Sequence, residues 1–262
     1  MTSHDPSLGA QAHFSSAAPT YDRHAHVQRE AADHLFELIE DITPSTILEV
    51  GCGTGLLTRR IAARWPEAPL TAVDIAPGMI EAAQRSMPDA KGMRWVVSDF
   101  RSFSRQDRFG LVVSNCALHW MQPIASAIVR AAGLLEVGGH FAASLMLEGT
   151  LSELHAARHE AAPDKAALHG MPVLNEVTTA CAAAGLAIVR QDITEHVHTS
   201  PTVDELVRAL REQGLTSGSL GRGKALLTRG ELARLKHIYA QRFGVTGGVR
   251  VSYRIGYVVA RR

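Results

Sequence analysis

The chain has 262 residues, 46% of them hydrophobic and 20% charged, with a net charge of +1. That is ordinary for a globular protein of one large domain or a domain with a substantial insertion. The balanced charge gives no electrostatic reason for nucleic-acid binding, and no apolar run approaches the ~20 residues that span a bilayer. Met1 to Gln11 is polar and lacks the apolar core of a signal peptide, so residues 1–13 are expected to form a disordered leader. Cys52, Cys116 and Cys181 are odd in number and far apart, which points to reduced thiols in a cytoplasmic protein rather than a disulfide or zinc framework. None of the 13 histidines falls in metalloprotease order. The tightest pairs, His24/His26 and His196/His198, read as surface or pocket-rim residues, and no metal site is expected.

In chain order, Asp22 to Glu40 carries Ala31, Ala32, Leu35, Leu38 and Ile39 at helical spacing and ends at Thr43-Pro44. Residues 46–50 form a first strand, 56–64 its helix and 70–74 a second strand, after which Pro77-Gly78 opens another helix. Trp95 to Val97 is a short third strand and Phe109 to Ser114 a fourth. Ile124 to Leu135 is helical with Gly138-Gly139 as its stop and turn, and Phe141 to Leu147 is a fifth strand. This alternation predicts a mostly parallel sheet with helices on both faces. Leu186 to Val197 and Val249 to Ala260 read as strands six and seven. Between them lie helices Val203–Arg211 and Arg229–Phe243 and a Gly-rich loop from Gly214 to Gly223, too long for an ordinary connection. Insertions near 149–175 and 200–247 are therefore expected to cap the ligand edge of one domain, 14–262.

The first strand, Ile47-Leu48-Glu49-Val50, ends in Gly51, Gly53 and Gly55 and is followed at once by a helix. Such a turn lets backbone approach a ligand where any Cβ would clash. Asp74, about 20 residues on at the end of the second strand, is at the separation from which an acid reaches ribose hydroxyls. A nucleoside-containing cofactor follows. A dinucleotide fingerprint needs a glycine where Leu56 stands. Glu49 ahead of the turn would repel a pyrophosphate but suits an ammonium group. This Glu-x-Gly-x-Gly-x-Gly run resembles motif I of the class I S-adenosylmethionine-dependent methyltransferases. The resemblance implies a Rossmann-like α/β fold, a seven-stranded sheet with an antiparallel last strand, and S-adenosylmethionine as cofactor.

The resemblance also directs attention to individual residues. Gly51 and Gly53 would contact the methionine end of the cofactor and Asp74 the ribose, and Ile75 beside it is a further cofactor-binding candidate. Asp99 is placed to accept from the adenine amine, Phe100 to line or stack in the adenine slot, and Met79 to close its other side, although a Met at helical spacing is more often plain core. Asn115, past the fourth strand, falls where such enzymes touch the methionine part. Tyr21 and Gln28 lie on a helix ahead of the sheet that is free to fold over the cofactor. No Cys–His or Ser–His–Asp constellation is evident, which suits a carboxylate nucleophile, already ionised at pH 7. His119 reads as a pocket-wall hydrogen-bond donor or, for an alcohol acceptor, a base.

Further segments are more specific. Phe14-Ser15 with Tyr21-Asp22, Ala25 and Gln28, then Ser114-Asn115-Cys116-Ala117-Leu118-His119-Trp120, Gly149-Thr150-Leu151-Ser152-Glu153-Leu154, Gly221-Arg222-Gly223 and Val251-Ser252-Tyr253-Arg254, resemble the malonyl-acyl-carrier-protein O-methyltransferases of biotin synthesis. This resemblance spans residues 14–262 and implies methyl transfer to the free carboxylate of malonyl-acyl carrier protein or malonyl-CoA. Arg222 is then the expected carboxylate anchor, with Arg254 second, and His119 stands where that family has Gln. Arg208, Arg211, Arg222 and Lys224 offer a basic face for the acidic carrier protein, or simply a solvated one. The same cofactor motif also suits another small acceptor such as a quinone precursor, or a non-catalytic S-adenosylmethionine-binding protein.

Overall fold

The computed structural model describes residues 6–88, 92–104, 107–165, 170–213 and 227–262. Three helices open the described chain: α1 (Pro6–Ala17), α2 (Tyr21–His24) and α3 (His26–Glu37). An alternating series follows: β1 (Ile47–Val50), α4 (Thr58–Arg64), β2 (Leu70–Asp74), α5 (Pro77–Ser86), β3 (Arg94–Val97), β4 (Phe109–Asn115), α6 (Ile124–Leu134) and β5 (Leu135–Met146). The remainder comprises α7 (Ser152–Ala161), α8 (Leu174–Ala183), β6 (Ala187–Ser200), α9 (Val203–Glu212), α10 (Arg229–Phe243), β7 (Gly244–Val245) and β8 (Gly248–Arg261).

The sheet runs β3-β2-β1-β4-β5-β8-β6, with the two-residue β7 paired only to β8. β1 to β5 pair in parallel, and β8 runs antiparallel to both β5 and β6. The α/β class I architecture expected from the sequence is thus present, with one small strand more than the seven anticipated. Side-chain alternation sets the two layers. Ile47, Leu111, Val113, Ala142, Tyr257 and Val259 face a core with α3, α4, α7, α9 and α10. Leu48, Val112, Phe141, Ala143, Val258 and Ala260 face α6 and α8 on the other side.

Three expectations about elements need correction. The stretch 6–13, expected within a disordered leader, lies in α1, whose later half packs on α5: Gly78 donates its N–H to the Ser15 hydroxyl at 3.4 Å. The single helix over 22–40 is broken at Ala25 (ψ 41°), and the break separates the turn carrying Asp22 from the core-facing helix α3. Gly138-Gly139 is not the stop and turn of α6, which ends at Leu134, but lies inside β5. Gly138 has φ +82°, and a Cβ on Gly139 would meet the carbonyls of Phe109 and Gly110 near 3 Å, so the glycines allow an irregular pairing with β4.

Candidate functional site

The turn after β1 is built from left-handed backbone, with φ of +69°, +55° and +88° at Gly51, Gly53 and Gly55. Two of its carriers are needed for different reasons. A Cβ on Gly51 would overlap that of Ala117, because the loops after β1 and β4 meet there, whereas the space beside Gly53 is open. The amides of Gly51 and Cys52 donate to the Val73 carbonyl, which anchors the turn to the end of β2.

Asp74 organises the opening of this turn. Its Oδ2 accepts from the Gly53 amide at 2.9 Å and its Oδ1 from the Ala76 amide at 2.8 Å. Burial raises its pKa, opposed by those amides. Beneath the turn, Glu49 is almost wholly buried, and its Oε2 has no hydrogen-bond partner. Burial, with the nearby charge of Asp74, pushes its carboxyl up to about 8. A buried carboxyl with an unpaired oxygen costs stability unless a cation completes it.

Ile75 and Met79 gather with Phe14, Ala18 and Tyr21 in an apolar group between α1, α2 and the start of α5. Burial raises the Tyr21 hydroxyl pKa, with Cys116, Asp74 and Asp22 adding to the effect. From α3, the Gln28 carbonyl accepts from Asn115 Nδ2 at 3.0 Å, and Asn115 Oδ1 accepts from the Ser144 hydroxyl at 2.7 Å. Gln28 Nε2 donates to Gln213 Oε1 at 3.2 Å, while Gln28 Oε1 is buried and unpartnered. Cys116, next to Asn115, holds φ +49°, a strained value for a non-glycine residue of the kind that clusters at functional sites.

His119 is buried with both ring nitrogens unpartnered, and burial lowers its pKa to about 3. Its ring lies 5.5 Å from that of Trp120, which meets Phe14 edge-on at 5.3 Å. The loop after β3 departs from expectation. Phe100 is buried in the core beneath α6, under the Arg130 guanidinium, because the backbone turns back through the Phe103 amide to the Asp99 carbonyl. Its ring is buried against that core, so stacking in an open slot is not its position here, and lining the slot is the part of the expectation that stays open. Asp99 is paired with Arg101, whose Nη2 lies 2.6 Å from its Oδ2, so an incoming amine would have to share that carboxylate.

Arg254 also stands apart from the group. It lies on β8 with its head exposed, its backbone bonded to Thr150 Oγ1 and its nearest carboxylate Glu195 at 3.8 Å. Asn115 and His119 are not among its hydrogen-bond partners. Arg222 and Lys224, with the loop Gly214–Gly223, lie outside the described residues. The helices of the two insertions meet: α7 packs on α10, with Arg242 to Glu160 at 2.8 Å and Lys165 to Glu231 at 2.7 Å. Buried Glu153 accepts from the amide and hydroxyl of Ser252, fastening α7 to β8. α9 docks on α2 through His24 and Glu212 at 2.5 Å. Thr54, Ser144 and Gln213 were missed by sequence reasoning. Thr54 sits inside the glycine motif and was findable, but Ser144 and Gln213 carry no local signal.

Comparison with known proteins agrees with this geometry. Residues 47–139 match the family model described as methyltransferase domain. The N-methyltransferase NodS of Bradyrhizobium japonicum, solved with S-adenosyl-L-homocysteine, shares the fold with a TM-score of 0.59 at 16% identity, covering 97% of this chain and 98% of that one. A malonyl-(acyl-carrier protein) O-methyltransferase of Geobacter sulfurreducens is 31% identical across 95% of this chain and 96% of its own length. One of Anoxybacillus flavithermus is 32% identical across 93% of each. With similarity running nearly end to end, through the N-terminal helices and both insertions as well as the glycine turn, the chain belongs to the malonyl-(acyl-carrier protein) O-methyltransferase family.

Proposed function

We propose that this chain transfers a methyl group from S-adenosylmethionine to the free carboxylate of a malonyl thioester on acyl carrier protein, giving the methyl ester used in biotin synthesis. The observation that carries the cofactor half is Glu49, a buried carboxyl with an unpaired oxygen beneath a glycine turn open at Gly53. It suits an α-ammonium, and family membership carries the acceptor. When bound, S-adenosylmethionine supplies an electrophilic sulfonium methyl.

In this reading Glu49 takes the ammonium and Gly51 and Gly53 give backbone access. Asp74 offers its remaining lone pairs to ribose hydroxyls. Ile75 and Met79, with Phe14 and Tyr21, wall the adenine, and Asp99 meets its amine at the cost of sharing Arg101. Gln28 and Asn115 frame the methionine end. The malonyl carboxylate is already ionised at pH 7 and needs no base, so the protein's task is to align it and exclude water. His119, neutral at that pH, donates a hydrogen bond without adding charge. Arg222 is the carboxylate anchor that the family resemblance points to, with Arg254 second. The α7–α10 pair and α9 act as a lid over the thioester arm, and basic side chains of that region receive the acidic carrier protein.

Among the described residues no helix is long and apolar enough to cross a membrane. The three unbridged cysteines support a reducing compartment, the cytoplasm. The deciding experiment is a mass-spectrometric assay with S-adenosylmethionine and either malonyl- or acetyl-acyl carrier protein. One methyl added to the malonyl form alone is expected. Cofactor binding without transfer to malonyl thioesters would overturn the acceptor and turn attention to another small metabolite.

A further inference from the structure

On the far flank of α3 from the glycine turn, the edge strand β6 presents two histidines on one face. Residues two apart on a strand point the same way, so His196 and His198 both project toward α3. There Glu30 Oε2 lies 2.6 Å from His196 Nδ1 and 3.7 Å from His198 Nε2, and the three ligand atoms all fall within 4.8 Å of one another. The opposite nitrogen of His196, Nε2, is 2.8 Å from the Thr194 hydroxyl, which in turn is 3.2 Å from the Tyr257 hydroxyl. That second contact fixes the ring: without a cation Nδ1 donates to Glu30 and Nε2 accepts from Thr194, and with a cation bound Nε2 can carry the proton and donate to Thr194, which frees Nδ1 as a ligand. His198 Nε2 is shielded from solvent yet has no hydrogen bond.

A hydrogen-bonded ion pair accounts for His196 and Glu30 but leaves His198 Nε2 buried without a partner. One carboxylate oxygen faces two ring nitrogens, and the second histidine gains no hydrogen bond from it at 3.7 Å. A shared cation satisfies all three atoms at once when the exposed Glu30 carboxylate swings back from its direct contact with His196 Nδ1. We propose that Glu30, His196 and His198 form a divalent transition-metal site of the zinc class, separate from the methyl-transfer site. Two imidazoles and a carboxylate are borderline ligands suited to Zn2+, with the fourth tetrahedral position left to water. Bound there, the ion clamps α3 to β6. The same helix carries Gln28 two residues before Glu30, so the clamp also steadies one wall of the glycine-turn site.

The test uses untagged full-length protein stripped with a chelator and titrated with Zn2+ against a chromophoric competitor. Expected are one tight Zn2+ per chain and a rise in Tm with Zn2+. His198→Ala and Glu30→Gln should each lower affinity by more than about tenfold, and Thr194→Val by about tenfold because the ring loses its orienting partner. His24→Ala, at the other histidine pair, should leave it unchanged. Absence of stoichiometric binding, or binding that survives both His198→Ala and Glu30→Gln, overturns the site. His198→Ala removes a partly buried ligand on an edge strand, and its fold is checked by its Tm without metal.

Discussion

Thr54 Oγ1 donates to Asp22 Oδ1 at 2.5 Å, joining the glycine turn to α2 across 32 residues of sequence. The contact exists because Ala25 breaks the helix, turning Tyr21–His24 toward the site while α3 stays on the sheet. The glycine turn is thus met on one side by α2, a helix outside the sheet. Thr54→Val removes the donor and leaves Asp22 exposed to water, so stability should fall by only about 1 kcal/mol. The cofactor KM should rise several-fold with kcat little changed, measured by steady-state kinetics with cofactor varied.

Gly51 and Gly53 should respond differently to the same substitution. Both need left-handed backbone, which costs an alanine about 1–2 kcal/mol. Gly51→Ala adds overlap with Ala117 and should lower Tm by several degrees more than Gly53→Ala. Gly53→Ala meets no protein atom, so its methyl intrudes on ligand space instead. Its cofactor Kd should rise more than about tenfold at modest loss of Tm. Calorimetry of both variants, with and without cofactor, separates the two effects.

Glu49 sets a pH dependence of cofactor affinity. With its carboxyl held up to about 8, it is mostly protonated at pH 7, and pairing with an ammonium requires the proton to leave. Binding should release about one proton at pH 7 and weaken by up to about tenfold per pH unit as pH falls below 8. Calorimetry in buffers of different ionisation enthalpy reads this directly, and Glu49→Gln should abolish it. The sign for folding is opposite to that of an ordinary salt-bridged acid. The native state keeps a proton that the unfolded chain loses near 4.5, so stability falls as pH rises from there to about 8. Glu49→Gln should therefore be the more stable protein at pH 9, without ligand.

His119 should be silent in the activity profile. Its pKa of about 3 leaves it neutral at working pH, so kcat/KM between pH 5 and 8 should show no inflection that His119→Gln removes. The unfolded chain takes up this proton near 6.5 and the native state only near 3. Stability is therefore lost as pH falls between those values, and acid denaturation of His119→Gln should occur at lower pH than that of the native protein.

Glu153 locks one insertion to the sheet, and its two bonds from Ser252 are charge-assisted. Glu153→Ala should cost about 3 kcal/mol by denaturant unfolding, with Ser252→Ala smaller because the backbone amide remains. Cofactor binding should survive both changes, while turnover on the thioester falls if α7 serves as part of the lid.

The sequence by itself determined the features that depend on near neighbours. An apolar run, glycines at alternate positions and a following helix-compatible stretch identify β1, its turn and α4, and the interval to Asp74 follows from the length of one helical crossover. Residues 229–243 were legible as a helix to the residue, and Glu49, Gly51, Gly53, Asp74 and Asn115 do gather at one edge of the sheet. Tertiary structure decided what depends on which way a side chain turns or what lies across a gap in sequence. Phe100 follows β3 in a turn closed by the Phe103 amide on the Asp99 carbonyl, and whether its ring meets the core is decided by α6 packing on it, which no local pattern records. Arg254 occupies a strand position whose neighbours Val251, Tyr253 and Ile255 face the core, so the pleat sends its head to solvent. The Glu30–His196–His198 group joins residues more than 160 apart, and the unpaired oxygen of Glu49 exists only because the sheet closes over it. Burial and long-range pairing are properties of the packed chain, set by which surfaces meet rather than by the order in which residues are joined.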